Sequence, residues 1–174
     1  MALDNETVKA RVQGQFGAAV LEASEYRGDL AFRIQPDDLL PIVLFLRDSA
    51  DLQYIWLASI TGVDYLGRDP RFEVVYHLRS LANQHMVVLK VGVPEAHPHV
   101  PSIVPLWPTA TYQEREAWDM FGIVFDGHPD LQRILLPEDW DGHVQRKDEP
   151  LVYEEVAFSF NHDDVDAQKP YAKE

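Results

Sequence analysis

Cysteine is missing from all 174 residues. That excludes disulfides, thiolate-held iron–sulfur clusters, cysteine-type zinc sites and a thiol nucleophile. Any redox role must come from a neighbour or from a cofactor bound without thiolates. Glycine-rich phosphate loops are missing too: no G-x-G-x-x-G follows a strand pattern, and no Gly-Lys-Ser/Thr occurs. The backbone then has no familiar close approach to a pyrophosphate, so NAD or ATP binding by this chain alone is not expected. Basic residues are scarce, 15 against 29 acids, for a formal charge of -14. Nucleic acid demands a basic surface, and anionic lipid attracts clusters of Lys and Arg; neither fits. Long apolar runs are also absent. The longest, Leu39–Leu46, contains Pro41 and falls well short of the roughly 20 residues of a membrane span. The opening MALDNETVKA is acidic and polar, unlike a signal peptide. The expectation is a chain on the cytoplasmic side, with any membrane association indirect.

What is present suits a globular domain: hydrophobic residues make up 46%, enough to bury a core. Asn5–Gln13 reads as a short helix capped by Asp4 or Asn5, with Val8 and Val12 on one face. Ala18–Ala23 fits strand or helix. Tyr26-Arg-Gly-Asp29 ahead of Leu30–Ile34 favours a hairpin. The run from Pro36 to Arg47 reads as a helix with acids at its front. Tyr54–Ile60, apolar on both faces, is expected as a central strand. Phe72–Leu78 alternates cleanly, and with His85–Val93 it forms an antiparallel hairpin. Thr111-x-x-Glu114 is a capping box for a helix ending at Gly122. Beyond it, Gly127, Pro129, Pro137, Gly142 and Pro150 break all periodicity. The fold class is therefore α+β: a small, mostly antiparallel sheet with flanking helices over residues 1–122. An extended irregular arm and acidic tail follow over 123–174.

Candidate chemistry is thin. His97-Pro-His99 is the one close histidine pair, but Pro98 enforces extended geometry that turns the rings apart; an ordinary loop is the simpler reading. His77 and His85 suggest a cross-strand surface pair. Glu116 and Asp119, three apart on one helix face, have the spacing of paired carboxylates for acid–base work. Capping by Glu114 and an Arg115–Asp119 ion pair are the commoner uses of such residues. His128 could serve as a base oriented by Asp130, though a turn at Pro129 with Asp130 as an Asx-type cap accounts for it more simply.

The segments Glu114-Arg-Glu-Ala-Trp-Asp-Met-Phe-Gly-Ile123, Gly127-His-Pro-Asp-Leu-Gln-Arg-Ile-Leu-Leu-Pro-Glu-Asp-Trp140 and Asp141-Gly-His-Val-Gln-Arg-Lys-Asp-Glu-Pro150 closely resemble the signature of the respiratory complex I 30-kDa subunit family. Ile60–Tyr65, Phe72–Leu78 and Trp107 resemble it as well, as does the tail over Glu154–Asn161 and Lys169–Tyr171. Two departures stand out. The family usually carries a basic residue at Gln132, and Pro-Leu in place of Val144-Gln145, which loosens that turn.

The resemblance implies a peripheral-arm subunit of proton-translocating NADH:quinone oxidoreductase, packed against the complex I 49-kDa-type subunit. It implies no cofactor on this chain; NAD, FMN, Fe-S clusters and quinone belong to other subunits. The signature residues Glu114, Arg115, Glu116, Asp119, Phe121, Gly122, His128, Pro129, Arg133, Leu135, Pro137, Trp140, Arg146, Lys147 and Asp148 then mark the expected partner interface. Arg133, Arg146 and Lys147 would supply ion pairs across it, and the apolar residues of 121–150 would lie under the partner. The alternatives are an accessory subunit of a related membrane-bound hydrogenase complex, a stand-alone acid–base enzyme using His128 with Glu116 or Asp119, and a free acidic adaptor. The purified chain alone is expected to be colourless and inactive toward NADH; a visible absorption band or NADH turnover by the lone chain would sink this reading.

Overall fold

Local signals set the first elements. Asp4 caps α1 (Asn5–Phe16), its carboxylate accepting the Thr7 amide at 2.7 Å, and Val8 and Val12 are buried. β1 (Val20–Tyr26) and β2 (Asp29–Ile34) form the hairpin, with Arg27 and Gly28 at φ 54° and 93°. Two successive left-handed residues match the right-handed twist of the strands they join. A 3-10 turn at Pro36–Asp38 leads into α2 (Leu39–Asp48). Its buried residues Leu39, Ile42, Val43 and Leu46 keep the spacing of one helix face.

The structure is a computed structural model that describes residues 3–149 together with Asp163 and Ala167; the tail motifs at Glu154–Asn161 and Lys169–Tyr171 lie outside the described residues. β3 (Trp56–Asp64), β4 (Phe72–Ser80) and β5 (His85–Val93) complete a sheet of order β1-β2-β5-β4-β3. The β2–β5 pair is parallel and the other three are antiparallel. After β6 (His99–Pro101) and α3 (Ala110–Phe121), β7 (Val124–Asp126) pairs in parallel with β6. The class is α+β, as expected. The register aligns Phe32, Leu89, Tyr76 and Ile60 across four strands. All four are buried in one cluster that also takes in residues of α1, α2 and α3.

Several expectations are corrected. The strand expected at Tyr54–Ile60 starts at Trp56 and lies at the sheet edge. It looks apolar on both faces because Leu57 and Ile60 point to the core, whereas Ile55 and Trp56 are more than half exposed. Its bare edge is guarded by side chains: Gln113 accepts the Ile60 amide, and the Trp107 indole donates to the Ile55 carbonyl at 2.9 Å. His77 and His85 do not face each other. His77 lies opposite Val88 and contacts Ser59, while His85 lies opposite Ser80 and bridges Tyr54 and Asn5. The irregular stretch begins after Asp126 rather than Gly122, because β7 belongs to the folded domain.

Tyr76 sits on β4 with its ring fully buried and its hydroxyl without a hydrogen-bond partner among the described residues. An unpaired buried donor costs about 1–3 kcal/mol. Tyr76→Phe is therefore expected to raise the midpoint of urea unfolding without changing the slope; a lowered midpoint would show that the hydroxyl has a partner in solution.

Candidate functional site

A helix leaves its last carbonyls without intrahelical partners. At the end of α3 the polypeptide that follows returns to supply them. The His143 ring donates to the Asp119 carbonyl at 2.9 Å, the Gln145 amide to Met120 at 3.1 Å, and Arg146 Nε to Phe121 at 2.7 Å. The turn that allows this is Gly122, left-handed at φ 75°, whose own amide bonds to the Trp118 carbonyl. Any Cβ there would also strike Arg146 and meet His143 at 2.6 Å. Glycine is required on both grounds.

Asp119, in the last turn of α3, is fully buried. Its Oδ2 accepts the amides of Ile134, Leu135 and Leu136 at 3.0, 2.8 and 3.0 Å, and its Oδ1 accepts Arg133 Nη1 at 2.7 Å. Burial by itself would raise this carboxyl; the amides and Arg133 outweigh it and hold it down at about 2. Arg133 spends its other donors on the carbonyls of Trp140 and Gly142, and Arg115 reaches the carbonyls of Gln132 and Arg133. His128 closes the start of the loop. Its Nδ1 accepts the Asp130 amide at 3.0 Å, which leaves Nε2 as the protonated nitrogen, donating to the Thr111 carbonyl at 3.1 Å.

A second tie lies further along. Arg71, 2% exposed, meets Asp64, Glu95 and Asp148, and Asp64 also accepts the Lys147 amide at 2.8 Å. Bonding to Arg71 holds the Asp148 carboxyl at about 2. Glu114 behaves in the opposite way. It is fully buried, and burial raises it to about 7 even though it accepts Ser102 Oγ at 2.6 Å and the Ile103 amide at 2.8 Å.

The signature residues therefore do not form one surface. Glu114 does not cap its helix, which begins at Ala110 behind Thr109; it ties the preceding loop instead. Arg115 and Asp119 do not pair with each other, and Glu116 and Asp119 are not paired carboxylates, because Asp119 is buried and Glu116 exposed. Asp130 gives His128 an amide rather than a carboxylate. Arg133 and Arg146 turn inward instead of offering ion pairs to a partner, Asp148 meets Arg71 while half exposed, and Phe121 is buried with its ring against Gly62. Pro129, Pro137 and Lys147 are exposed. Four apolar side chains of the loop reach solvent, Ile134, Leu135, Trp140 and Val144 at 38%, 61%, 37% and 38% exposed, beside the exposed Gln132, Glu138, Asp139 and Asp141. Arg71, Asp64, Ser102 and His143 were missed as organisers. The only trace of the first two in sequence is an acid and a base flanking strand ends, too common a pattern to single out. Among the described residues no group of three His, Asp or Glu could hold a metal, and no helix is long and apolar enough to cross a membrane.

Residues 32–155 match the family model described as respiratory-chain NADH dehydrogenase, 30 Kd subunit. The C subunit of NADH-quinone oxidoreductase from Roseiflexus castenholzii is 59% identical over 174 residues, covering 100% of both proteins. Its counterpart from Herpetosiphon aurantiacus is 52% identical over 172 residues, 99% of each. The trypsin-resistant fragment (1-134) of Nqo5 is similar at TM-score 0.64 and 32% identity, over 72% of this protein and 98% of the fragment. A polypeptide of an archaeal membrane-bound sulfane sulfur reductase shares the fold at TM-score 0.66 and 22% identity, over 77% of each.

The carboxyl shifts work in opposite directions with pH. Asp119 and Asp148 fall from 3.8 to about 2, so the stability they give is complete above about pH 4 and is lost as pH falls toward 2. Glu114 rises from 4.5 to about 7, so its contribution is complete below about 4.5 and is lost as pH rises through 7. Thermal stability should peak between these limits, and Glu114→Gln should flatten the alkaline side alone. Asp119→Ala should cost about 3 kcal/mol or more, the usual result of stranding one partner of a buried ion pair. A melting temperature that rises steadily from pH 5 to 8 would contradict the burial of Glu114.

Proposed function

The chain belongs to the 30-kDa subunit family of the respiratory-chain NADH dehydrogenase, and from that membership we propose that it is a non-redox peripheral subunit of a proton-translocating NADH:quinone oxidoreductase. Its role is to brace the large, 49-kDa-type subunit of the quinone module on the cytoplasmic side of the membrane. NAD, FMN, Fe-S clusters and quinone reside on other subunits, and this chain contributes shape rather than a catalytic residue. One observation carries the reading: an irregular loop whose backbone is tied down by the buried Asp119 and by Arg133 while Ile134, Leu135, Trp140 and Val144 are held outward. Such an arrangement presents preorganised apolar anchors, and preorganisation reduces the ordering cost of association.

Two of the three residues of the acid–base enzyme reading are committed elsewhere. Both ring nitrogens of His128 are engaged by backbone groups, and Asp119 is committed to Arg133 and three amides. Membership of another membrane-bound respiratory complex remains the second reading, favoured by the shared fold of the archaeal reductase polypeptide.

The two are separated by purifying the tagged chain from native membranes. Recovery together with flavin- and cluster-bearing subunits that oxidise NADH is expected. Leu135→Asp combined with Trp140→Ser should lower that recovery about tenfold or more, since a few apolar anchors dominate most interfaces. The melting temperature of the chain itself should change little, because both side chains are exposed. Full recovery with the double variant would remove the proposed interface.

A further inference from the structure

A cavity of about 90 Å³ opens beside the loop, between the edge strand β3 and α3, lined by Ile60, Thr61, Gly62, Glu116, Ala117, Met120, Phe121 and Gln145. A single water needs only about 10–15 Å³, so the space suits a side-chain stem. The buried members of its lining are apolar: Ile60, Ala117, Met120 and Phe121 are each 9% exposed or less. Thr61, Glu116 and Gln145 are exposed and so mark the mouth. Within its lining the Phe121 ring packs directly on Gly62, where an added Cβ would lie 2.6 Å from the ring.

Glu116 is the odd member. The acids buried around it are all spoken for: Glu114 by Ser102 and Ile103, Asp119 by Arg133, and Asp64 by Arg71. The neighbouring Arg115 is turned away to the carbonyls of Gln132 and Arg133. Glu116 has neither an ion pair nor a hydrogen bond to its carboxylate among the described residues. A slot of mixed lining, with apolar residues within and one unpaired carboxylate at its mouth, has the charge of a socket for a long basic side chain, which buries an aliphatic stem and keeps its charged head at the rim. The overall charge of -14 favours a basic partner surface in the same sense.

We propose that this cavity receives a lysine or arginine side chain of the partner subunit, its methylenes against Ile60, Ala117, Met120 and Phe121 and its cationic head on Glu116. The inference rests on the reading of the protein as part of a larger complex, and it names a contact separate from the apolar anchors of the loop.

The test uses the whole complex, recovered through the tagged chain and washed at about 0.15 M salt, where loosely attracted surface charges are largely screened. Glu116→Lys should reduce recovery of the partner about tenfold, and Glu116→Gln should reduce it less, in line with loss of a close interfacial charge pair. Both variants should melt with the wild type, since the Glu116 carboxylate has no partner of its own to lose. Glu25→Lys, the same charge change at an exposed position of β1, should leave recovery intact. A photo-crosslinker at Thr61 should capture a partner peptide carrying Lys or Arg at the contact. Undiminished recovery with Glu116→Lys, equal loss with Glu25→Lys, or a captured peptide lacking Lys and Arg would each overturn the socket while leaving the subunit reading in place. If even the wild-type protein recovers no cluster-bearing subunit, the subunit reading falls, and the socket with it.

Discussion

Asp119 places a carboxylate at the C-terminal end of a helix, where the dipole is already negative, and buries it completely. Left alone, that arrangement would be strongly unfavourable. The protein resolves it by bringing back a segment that carries the opposite polarity: three consecutive amides and Arg133 onto the carboxylate, then His143, the Gln145 amide and Arg146 onto the last carbonyls of α3. The route of residues 131–146 therefore follows from one misplaced charge and three orphan acceptors. A loop with no periodicity of its own gains a defined shape from hydrogen bonds rather than from a core.

That solution decides which side chains are left over. With Arg133 and the amides of 134–136 committed to Asp119, the apolar side chains at 134, 135, 140 and 144 reach solvent alongside the exposed acids Glu138, Asp139 and Asp141. The Arg71 cluster fixes the far end in the same way, through Asp148 and the Lys147 amide held by Asp64. A globular domain normally keeps its large apolar groups inside. Four of them held at the surface of one ordered loop are intelligible if that surface is finished by another protein.

Scarcity of basic residues sharpens the point. Of 15 Lys and Arg, Arg71, Arg115, Arg133 and Arg146 are committed to internal carboxylates and carbonyls. Planar forks with several donors suit that work, since one guanidinium can tie two strands of irregular backbone at once. The surface is left predominantly acidic, with Glu116 unpaired at the mouth of the slot between β3 and α3.

Much of the frame was readable in advance. Period-2 alternation in Phe72–Leu78, the helix face of Leu39, Ile42, Val43 and Leu46, the Arg27-Gly28 turn and the Gly122 stop are local patterns, and local sterics and burial enforce them. The same holds for the exclusions drawn from missing cysteines and glycine-rich loops. The position of β3 at the edge, the burial of Glu114 and Asp119, and the inward turn of Arg133 and Arg146 were not readable. Each depends on a partner distant in the sequence, such as Asp64 with Lys147 or Met120 with Gln145. Sequence alone determined most helices, strands and breaks, because those obey interactions a few residues long; β6 and β7, which pair only with each other across a long stretch of chain, escaped it. Tertiary structure alone decided which charges are buried and which apolar groups are shown, because a polar group's burial depends on whether a complement arrives from elsewhere.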